Sequence, residues 1–176
     1  MSETSKKHKS EAPARLRFAI FTCSTSRYER SKLKEEIEDI SGDLIETALR
    51  NVGNMITQRD LLPDDSEAIA KRVKQVLASP EIDAAIFSGG TGIAPSDVTI
   101  EAVLPLLEKT LPGFGEIFRR LSFDEIGSPA LLSRALAGVA KGKAFFCLPG
   151  SPNAVRLCIE KLVLPEASHI VKHSRE

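Results

Sequence analysis

The sequence has no surplus of either charge and no long apolar run. Lysine and arginine together number 24, as do aspartate and glutamate, so no net field attracts the chain to nucleic acid or to a membrane surface. No apolar segment reaches the roughly 20 residues that a membrane-spanning helix needs. We therefore expect a globular protein with neither nucleic-acid nor membrane partners.

Cysteine and histidine are also scarce. The three cysteines, Cys23, Cys147 and Cys158, lie far apart and form no CxxC pair, a pattern that indicates reduced thiols rather than a disulfide framework. The three histidines lie near the chain ends, which argues against a zinc site. The N-terminal segment lacks the apolar core of a signal peptide. Together these features predict a cytoplasmic location.

The chain does contain a regular alternation of two kinds of segment. Residues 1–14 are polar and aperiodic and predict a disordered tail, whereas residues 15–176 predict a single domain. Apolar runs alternate with segments of helical spacing, which indicates an α/β domain with a mostly parallel sheet covered by helices. The strand candidates are LRFAIFTC, NMITQRDLL, DAAIFS and KAFFCLPG, and the helix candidates are GDLIETALRNVG, SEAIAKRVKQVLAS, TIEAVLPLLEK and SPNAVRLCIEKLV.

Individual residues predict where these helices begin and end. Ser41 is a candidate N-cap of the first long helix, and Gly53 fits the position after its end. Ser151 followed by Pro152 is typical of the start of the last helix. Pro105 should kink or split the helix in which it lies, because proline removes a donor and clashes with the preceding turn.

Three predicted strands end in small, hydroxyl-rich turns: TCSTS, SGGTG and LPGSPNA. The carboxyl ends of parallel strands share one edge, where small residues and free N–H groups favour a bound anion. Tight turn geometry alone could also explain each glycine-rich turn, but three at one edge favour an anion site. No GxxxxGK[ST] or GxGxxG pattern is present, so the two common nucleotide loops are excluded.

Two aspartates could lie at the same edge. Asp64 follows the second predicted strand and Asp97 follows the glycine loop; if these strands are neighbours, the carboxylates face each other and suit Mg²⁺ beside bound phosphates. Helix capping is an equal alternative for Asp64 and Asp65, and Asp97 could cap the helix after Thr99. The sequence offers no serine–histidine pair and no plausible catalytic cysteine, which is compatible with phosphoryl or nucleotidyl transfer by positioning and charge neutralisation.

Four ordered motifs resemble the MoaB/MogA family of molybdenum cofactor biosynthesis proteins, and the MoaB branch in particular. They are LLPDD, SGGTG…DVT, SFDEIGSPALLSRALAG and LPGSPNAV, and the likeness runs from about Leu16 to His169. The resemblance implies a three-layer α/β/α domain that transfers AMP from Mg-ATP to the terminal phosphate of molybdopterin and releases pyrophosphate. It also implies a homotrimer, or a hexamer built from trimers, and a downstream metal-insertion protein as partner.

Carried onto this chain, the family motifs imply that Asp64 and Asp97 are the catalytic and metal-binding residues. The implied substrate- and nucleotide-binding residues are Ser88, Gly89, Gly90, Thr91, Gly92, Ser128, Ser133, Arg134, Gly150, Ser151 and Asn153. Asp39 and Ser41-Gly42 match a further family motif, DxSG. The alternative function is a catalytically silent protein that binds molybdopterin or a nucleotide, and a third is hydrolysis of another nucleotide phosphate.

The segment LPGFGEIFRRL carries more large apolar residues than one short element usually buries in its own domain. We expect part of it to lie near a subunit contact or the mouth of the site. Core packing is the equal alternative.

Overall fold

A six-stranded sheet forms the centre of the protein in the computed structural model, which describes residue 13 and residues 15–176. The strands are β1 (Arg17–Cys23), β2 (Met55–Leu62), β3 (Ala84–Ser88), β4 (Lys109–Thr110), β5 (Leu136–Ala140) and β6 (Lys143–Leu148). They lie in the order β2-β1-β3-β6-β5-β4, and of these six strands β5 alone runs in the direction opposite to the other five. The predicted tail, apart from Pro13, lies outside the described residues.

Helices connect the strands and cover the sheet. They are α1 (Thr25–Lys32), α2 (Ile40–Asn51), α3 (Ser66–Ala78), α4 (Thr99–Val103), α5 (Pro112–Ile126), α6 (Pro152–Cys158) and α7 (Leu164–His173). Short 3₁₀ turns occupy Leu104–Leu106 and Ser128–Leu132, and a π-helical segment, Ile159–Val163, joins α6 to α7. None of the helices described is long and apolar enough to cross a membrane.

Two apolar clusters, one on each face of the sheet, hold the three layers together. Alternate residues of a strand point to opposite faces, so Phe18 and Ile20 of β1 join the cluster under α2, α5, α6 and α7, whereas Ala19 and Phe21 join the cluster under α3 and α4. Nearly all of β1 is buried, as its apolar sequence predicts. The predicted α/β/α architecture with a mostly parallel sheet is thereby confirmed.

The structure refines three of the predicted elements: it confirms that Pro105 splits its helix and corrects the end of the last helix. The strand β2 is only partly buried, because it lies at the edge of the sheet rather than inside it. The helix expected over residues 99–109 ends at Val103, and Pro105 lies in the 3₁₀ turn that follows, since proline cannot continue the hydrogen-bond ladder. The last helix does not end near residue 163, because the π segment carries it on to His173.

The structure agrees with the predicted end of α2 at Gly53 and the predicted start of α6 at Ser151, but not with Ser41 as the N-cap of α2. Gly53 has a left-handed φ of +85° directly after α2, and Ser151 caps α6 by accepting a hydrogen bond from the Ala154 amide at 3.4 Å. The cap of α2 is Asp39, whose carboxylate accepts from the Gly42 amide at 3.1 Å. Ser41 is therefore not the N-cap; its hydroxyl donates to a distant loop described below.

The apolar segment at the start of α5 packs in two directions. Phe114 and Phe118 are buried in the core beneath α5, as the core-packing alternative predicts. Ile117, on the opposite face, is 51% exposed. Further along the same region Phe123, Ile126 and Leu131 are also exposed, so an apolar surface remains on the outside of the domain.

Candidate functional site

A cavity of about 420 Å³ lies at the carboxyl ends of β1, β3 and β6. In a parallel sheet this is the edge at which ligands bind. Its walls come from the turn after β1, the loop after β2, the glycine loop after β3, the end of the 3₁₀ turn before β5 and the turn after β6. The lining residues are Cys23, Ser24, Arg27, Asp64, Gly89, Gly90, Thr91, Gly92, Ser96, Asp97, Leu132, Ser133, Arg134, Pro149 and Gly150.

The glycine loop folds tightly against its own chain. Gly89 and Gly90 have φ values of +100° and +60°, which L-residues rarely adopt. A side chain on Gly89 would collide with the carbonyl oxygen of Cys23, and a Cβ on Gly90 would lie 2.5 Å from the Thr99 hydroxyl oxygen. That hydroxyl donates to the Gly89 carbonyl at 2.8 Å. The protein's own geometry therefore demands glycine at both positions, whatever binds in the cavity.

Asp64 is held by the turn after β1. Its Oδ2 accepts hydrogen bonds from the Thr25 amide at 2.8 Å and the Thr25 hydroxyl at 3.0 Å, while that hydroxyl accepts from the Asp64 amide at 2.9 Å. Asp65 caps α3, accepting from the Ala68 amide at 2.7 Å. The sequence left open which of the two aspartates caps the helix. In the structure Asp65 is the cap, and Asp64 lines the cavity.

Asp97 closes the loop that contains it. Its Oδ2 accepts from the Ala94 amide at 2.8 Å, and its own amide donates to the Ala94 carbonyl at 2.9 Å. The N-cap residue of α4 is Val98, which makes no side-chain cap, so the helix-cap alternative for Asp97 is wrong. The strands β2 and β3 are not neighbours, because β1 lies between them; the two aspartates nevertheless line one cavity, since their loops reach over the end of β1.

Two guanidinium groups supply positive charge to the same cavity. Arg134 donates from Nε to the Thr91 carbonyl at 2.8 Å and from Nη1 to Glu101 Oε1 at 2.6 Å. This hydrogen bond lowers the pKa of Glu101 and keeps it ionised beside the arginine. Arg27 donates to the Glu38 carbonyl at 3.1 Å. Anchored arginines beside a glycine loop are suited to bind phosphate oxygens.

The remaining candidate residues lie at, below or beside this cavity. Ser88 is buried beneath it, and its hydroxyl donates to the Pro149 carbonyl at 3.4 Å. Gly150 lines the cavity, and its carbonyl accepts a hydrogen bond from the Ser41 hydroxyl at 2.8 Å. The serine of the DxSG motif therefore holds the turn after β6 in place. Thr91 is buried in the wall.

Three of the predicted residues face other cavities. Ser151 and Asn153 line a neighbouring cavity of about 380 Å³ that shares Ser133 and Pro149 with the first. Ser128 lines a separate apolar cavity with Phe123 and Leu131. The structure thus brings Asp64, Asp97, the glycine loop, Ser133, Arg134 and Gly150 together, sets Ser151 and Asn153 beside them, and does not bring Ser128 to the same cavity.

The sequence analysis placed the TCSTS turn at this edge but assigned no site residue to that turn or to α1. Ser24 and Arg27 line the cavity and Thr25 holds Asp64, although the hydroxyl-rich TCSTS stretch was the available signal. Cys23 also lines it, but burial, with the nearby charge of Asp64, raises the pKa of its thiol to about 12. A neutral thiol is a poor nucleophile, so the cavity offers positioning and charge rather than a covalent catalyst.

The cavity's carboxylates fit a magnesium ion better than a zinc ion. Within residues 15–176, no group of three or more His, Cys, Asp or Glu side chains converges on one point. Asp64 and Asp97 each commit Oδ2 to backbone or hydroxyl donors, and their Oδ1 atoms accept no hydrogen bond from the described part of the chain. Mg²⁺ binds through one or two carboxylates with water and phosphate oxygens completing its shell.

The chain is similar to known proteins in sequence and in structure over most of its length. The profile of the family described as "Probable molybdopterin binding domain" matches residues 19–169. Molybdenum cofactor biosynthesis protein B of Bacillus subtilis (strain 168) is 43% identical over 96% of each chain. The probable molybdopterin adenylyltransferase of Methanocaldococcus jannaschii is 40% identical over 92% of this chain and 95% of its own. A crystal structure of a molybdenum cofactor biosynthesis protein B matches with a TM-score of 0.84 and 42% identity, covering 94% of this chain and 99% of the other.

Proposed function

The chain belongs to the MoaB/MogA family of molybdenum cofactor biosynthesis proteins, and from that premise we propose that it adenylylates molybdopterin. In this reaction an oxygen of the molybdopterin phosphate attacks the α-phosphorus of ATP. The bond between the α-phosphorus and the bridging oxygen breaks, and pyrophosphate leaves. The products are adenylyl-molybdopterin and pyrophosphate. The 40% identity to the probable molybdopterin adenylyltransferase of Methanocaldococcus jannaschii supports the reaction type.

The observation that carries the proposal is the convergence of Asp64 and Asp97 on the glycine-loop cavity. Each carboxylate is fixed through Oδ2 and keeps Oδ1 available. Both would hold Mg²⁺, which when bound neutralises the charge of the phosphates. The Thr25 hydroxyl and amide keep the Asp64 carboxylate in place, and the Ala94 amide does the same for Asp97. Such preorganised groups act without reorganising during the reaction.

The other walls of the cavity would bind the two phosphorylated substrates. Arg134 is anchored by the Thr91 carbonyl and by Glu101, which contacts both of its Nη atoms, so its remaining Nη–H groups can bind a phosphate oxygen without loss of its position. The loop backbone is bare of side chains at Gly89, Gly90 and Gly92, so phosphate oxygens can approach it closely. No described side chain is needed as a nucleophile, since the attacking oxygen belongs to the substrate.

Product analysis distinguishes this function from its two alternatives. The protein is incubated with Mg-ATP alone and with Mg-ATP plus molybdopterin, and pyrophosphate and nucleotide products are quantified. Adenylyl transfer predicts pyrophosphate only when both substrates are present. Saturable binding without pyrophosphate would instead identify a catalytically silent molybdopterin- or nucleotide-binding protein. Phosphate release from ATP alone would identify a hydrolase, and either result would overturn the proposal.

We further propose a cytoplasmic homo-oligomer, a trimer or a hexamer, that delivers its product to a downstream metal-insertion protein. This assembly would cover an apolar surface that is exposed in the single chain. That surface is formed by the side chains of Ile117, Phe123, Ile126 and Leu131. Sedimentation at micromolar concentration checks the assembly, and a monomer there would contradict it.

A further inference from the structure

One wall of the glycine-loop cavity carries an arginine that has no acidic partner among the residues that the structure describes. Arg27 lies in the first turn of α1, whose N-cap residue is Ser24, and both residues line the cavity. Its Nε donates to the Glu38 carbonyl at 3.1 Å. Arg134, by contrast, is paired with Glu101. The two Nη groups of Arg27 are therefore available for a negatively charged ligand.

The wall that carries Arg27 is fixed to the edge strand of the sheet. The Ser24 amide donates to the Leu62 carbonyl at 2.9 Å, and the Thr25 amide donates to the Asp64 carboxylate at 2.8 Å. Both contacts attach the start of α1 to the end of β2 and to the loop that follows it. Arg27 therefore enters the cavity from the side of β1 and β2, on the same wall as Asp64.

The chain segment that carries Arg134 enters the same cavity from the other side. Arg134 comes shortly before β5, and both β3 and β6 lie between β1 and β5 in the sheet. The neighbouring cavity of about 380 Å³ lies on this side and shares Ser133 and Pro149 with the first. Its described lining includes the Glu125 carboxylate and no lysine or arginine. Because like charges repel, a polyphosphate is disfavoured there.

Adenylyl transfer requires charged groups on opposite sides of the reacting α-phosphorus. In-line displacement places the incoming molybdopterin phosphate on one side and the departing pyrophosphate on the other. When the bond to the bridging oxygen breaks, its electron pair stays with the pyrophosphate, whose negative charge increases. An arginine without an acidic partner stabilises this added charge better than a paired one, because no carboxylate competes for its N–H groups.

We propose that Arg27 binds the β- and γ-phosphates of ATP and then the departing pyrophosphate, and that the molybdopterin phosphate enters from the Arg134 side. The assignment rests on the adenylyl transfer proposed above and adds a direction of transfer across the cavity. Asp64 lies on the Arg27 wall, so the pyrophosphate is bound there as its magnesium complex.

Calorimetric titration of the full chain with Mg-pyrophosphate, Mg-ATP and AMP tests the assignment. Arg27→Met keeps the apolar stem of the side chain and removes its charge. We expect it to weaken the binding of pyrophosphate and of ATP by about tenfold or more, the loss that follows removal of one charge-assisted contact. AMP lacks the β- and γ-phosphates, so its affinity should stay close to that of the wild type. The variant should fold normally, since α1 buries no residue.

Arg30→Met is the matched control on the same helix. Arg30 is paired with Glu35 at 2.6 Å and does not line the cavity, so this variant should bind pyrophosphate as the wild type does. No pyrophosphate binding by the wild type, unchanged pyrophosphate affinity in Arg27→Met, or an equal loss of AMP affinity would overturn the assignment. Failure of the proposed reaction has a different signature: pyrophosphate binds through Arg27, which supports the binding assignment, but ATP and molybdopterin together release no pyrophosphate.

Discussion

The substitution Gly89→Ala should destabilise the protein far more than the same change at Gly53. Both glycines have left-handed φ values, +100° and +85°, so both substitutions impose backbone strain. They differ in their surroundings. A Cβ on Gly53 would lie 3.6 Å from its nearest neighbour, an atom of the flexible Arg15 side chain, whereas a Cβ on Gly89 would collide with the carbonyl oxygen of Cys23.

The expected magnitudes follow from these two environments. Left-handed strain costs about 1–2 kcal/mol in either variant, partly offset by about 0.4–1 kcal/mol from the stiffer unfolded chain. Gly53→Ala should therefore lower the free energy of unfolding by about 1 kcal/mol. Gly89→Ala adds an overpacking cost of about 1–3 kcal/mol. The Cys23 carbonyl cannot retreat easily, because β1 is paired on both sides and the next amide, of Ser24, bonds to Leu62.

Urea unfolding of wild type and both variants measures the difference directly. We expect Gly89→Ala to be about 2 kcal/mol less stable than Gly53→Ala. The folded fraction should also bind Mg-ATP more weakly, because Cys23 and Gly89 both line the candidate site. If the two variants agree within about 0.5 kcal/mol, the close approach of Cys23 does not explain why glycine occupies position 89.

Three other predictions concern the carboxylates. Asp97→Asn should lower the rate of pyrophosphate release by about a hundredfold or more, while molybdopterin binding survives. In the double variant with Asp64→Asn, the fall in this rate should be smaller than the product of the two single effects, measured over a magnesium titration. Thr25→Val should lower turnover by about tenfold through loss of the hydrogen bonds that orient Asp64, with recovery in Thr25→Ser; equal rates in the two variants would refute this positioning role. Burial alone would raise the pKa of Asp83, but hydrogen bonds from Arg17 and Arg175 outweigh it and hold this pKa below its usual range. The resulting stability is complete above about pH 4–5 and is lost at lower pH, so Asp83→Asn should flatten the fall in unfolding free energy measured between pH 7 and pH 2.

The sequence by itself determined the architecture and the edge of the sheet at which the candidate site lies. Strand and helix periodicities are local properties, so the alternation of β1, α2, β2, α3 and β3 could be read from apolar spacing. The shared edge of the site was also predictable, because parallel strands connected by helices end on the same side of the sheet. For that reason the sequence alone could assign Asp64, Asp97 and the glycine loop to the same edge of the sheet.

Local patterns were weakest where a segment has little apolar content of its own. The helix α1 buries no residue, and β5 is five residues of mostly small side chains. Neither carries a periodicity that distinguishes it from a loop. The contribution of Ser24, Thr25 and Arg27 to the site was therefore missed, although the TCSTS turn itself was recognised.

Tertiary structure alone decided which polar group meets which. Ser41 bonds to Gly150, 109 residues away, instead of capping its own helix, and Thr25 selects Asp64 over Asp65 across 39 residues. The strand order, in which β1 lies between β2 and β3, also brings Gly89 close to the Cys23 carbonyl. Hydrogen bonds form between groups that packing brings together, whatever their separation along the chain, so residue type and spacing identify the candidates and the folded backbone chooses among them.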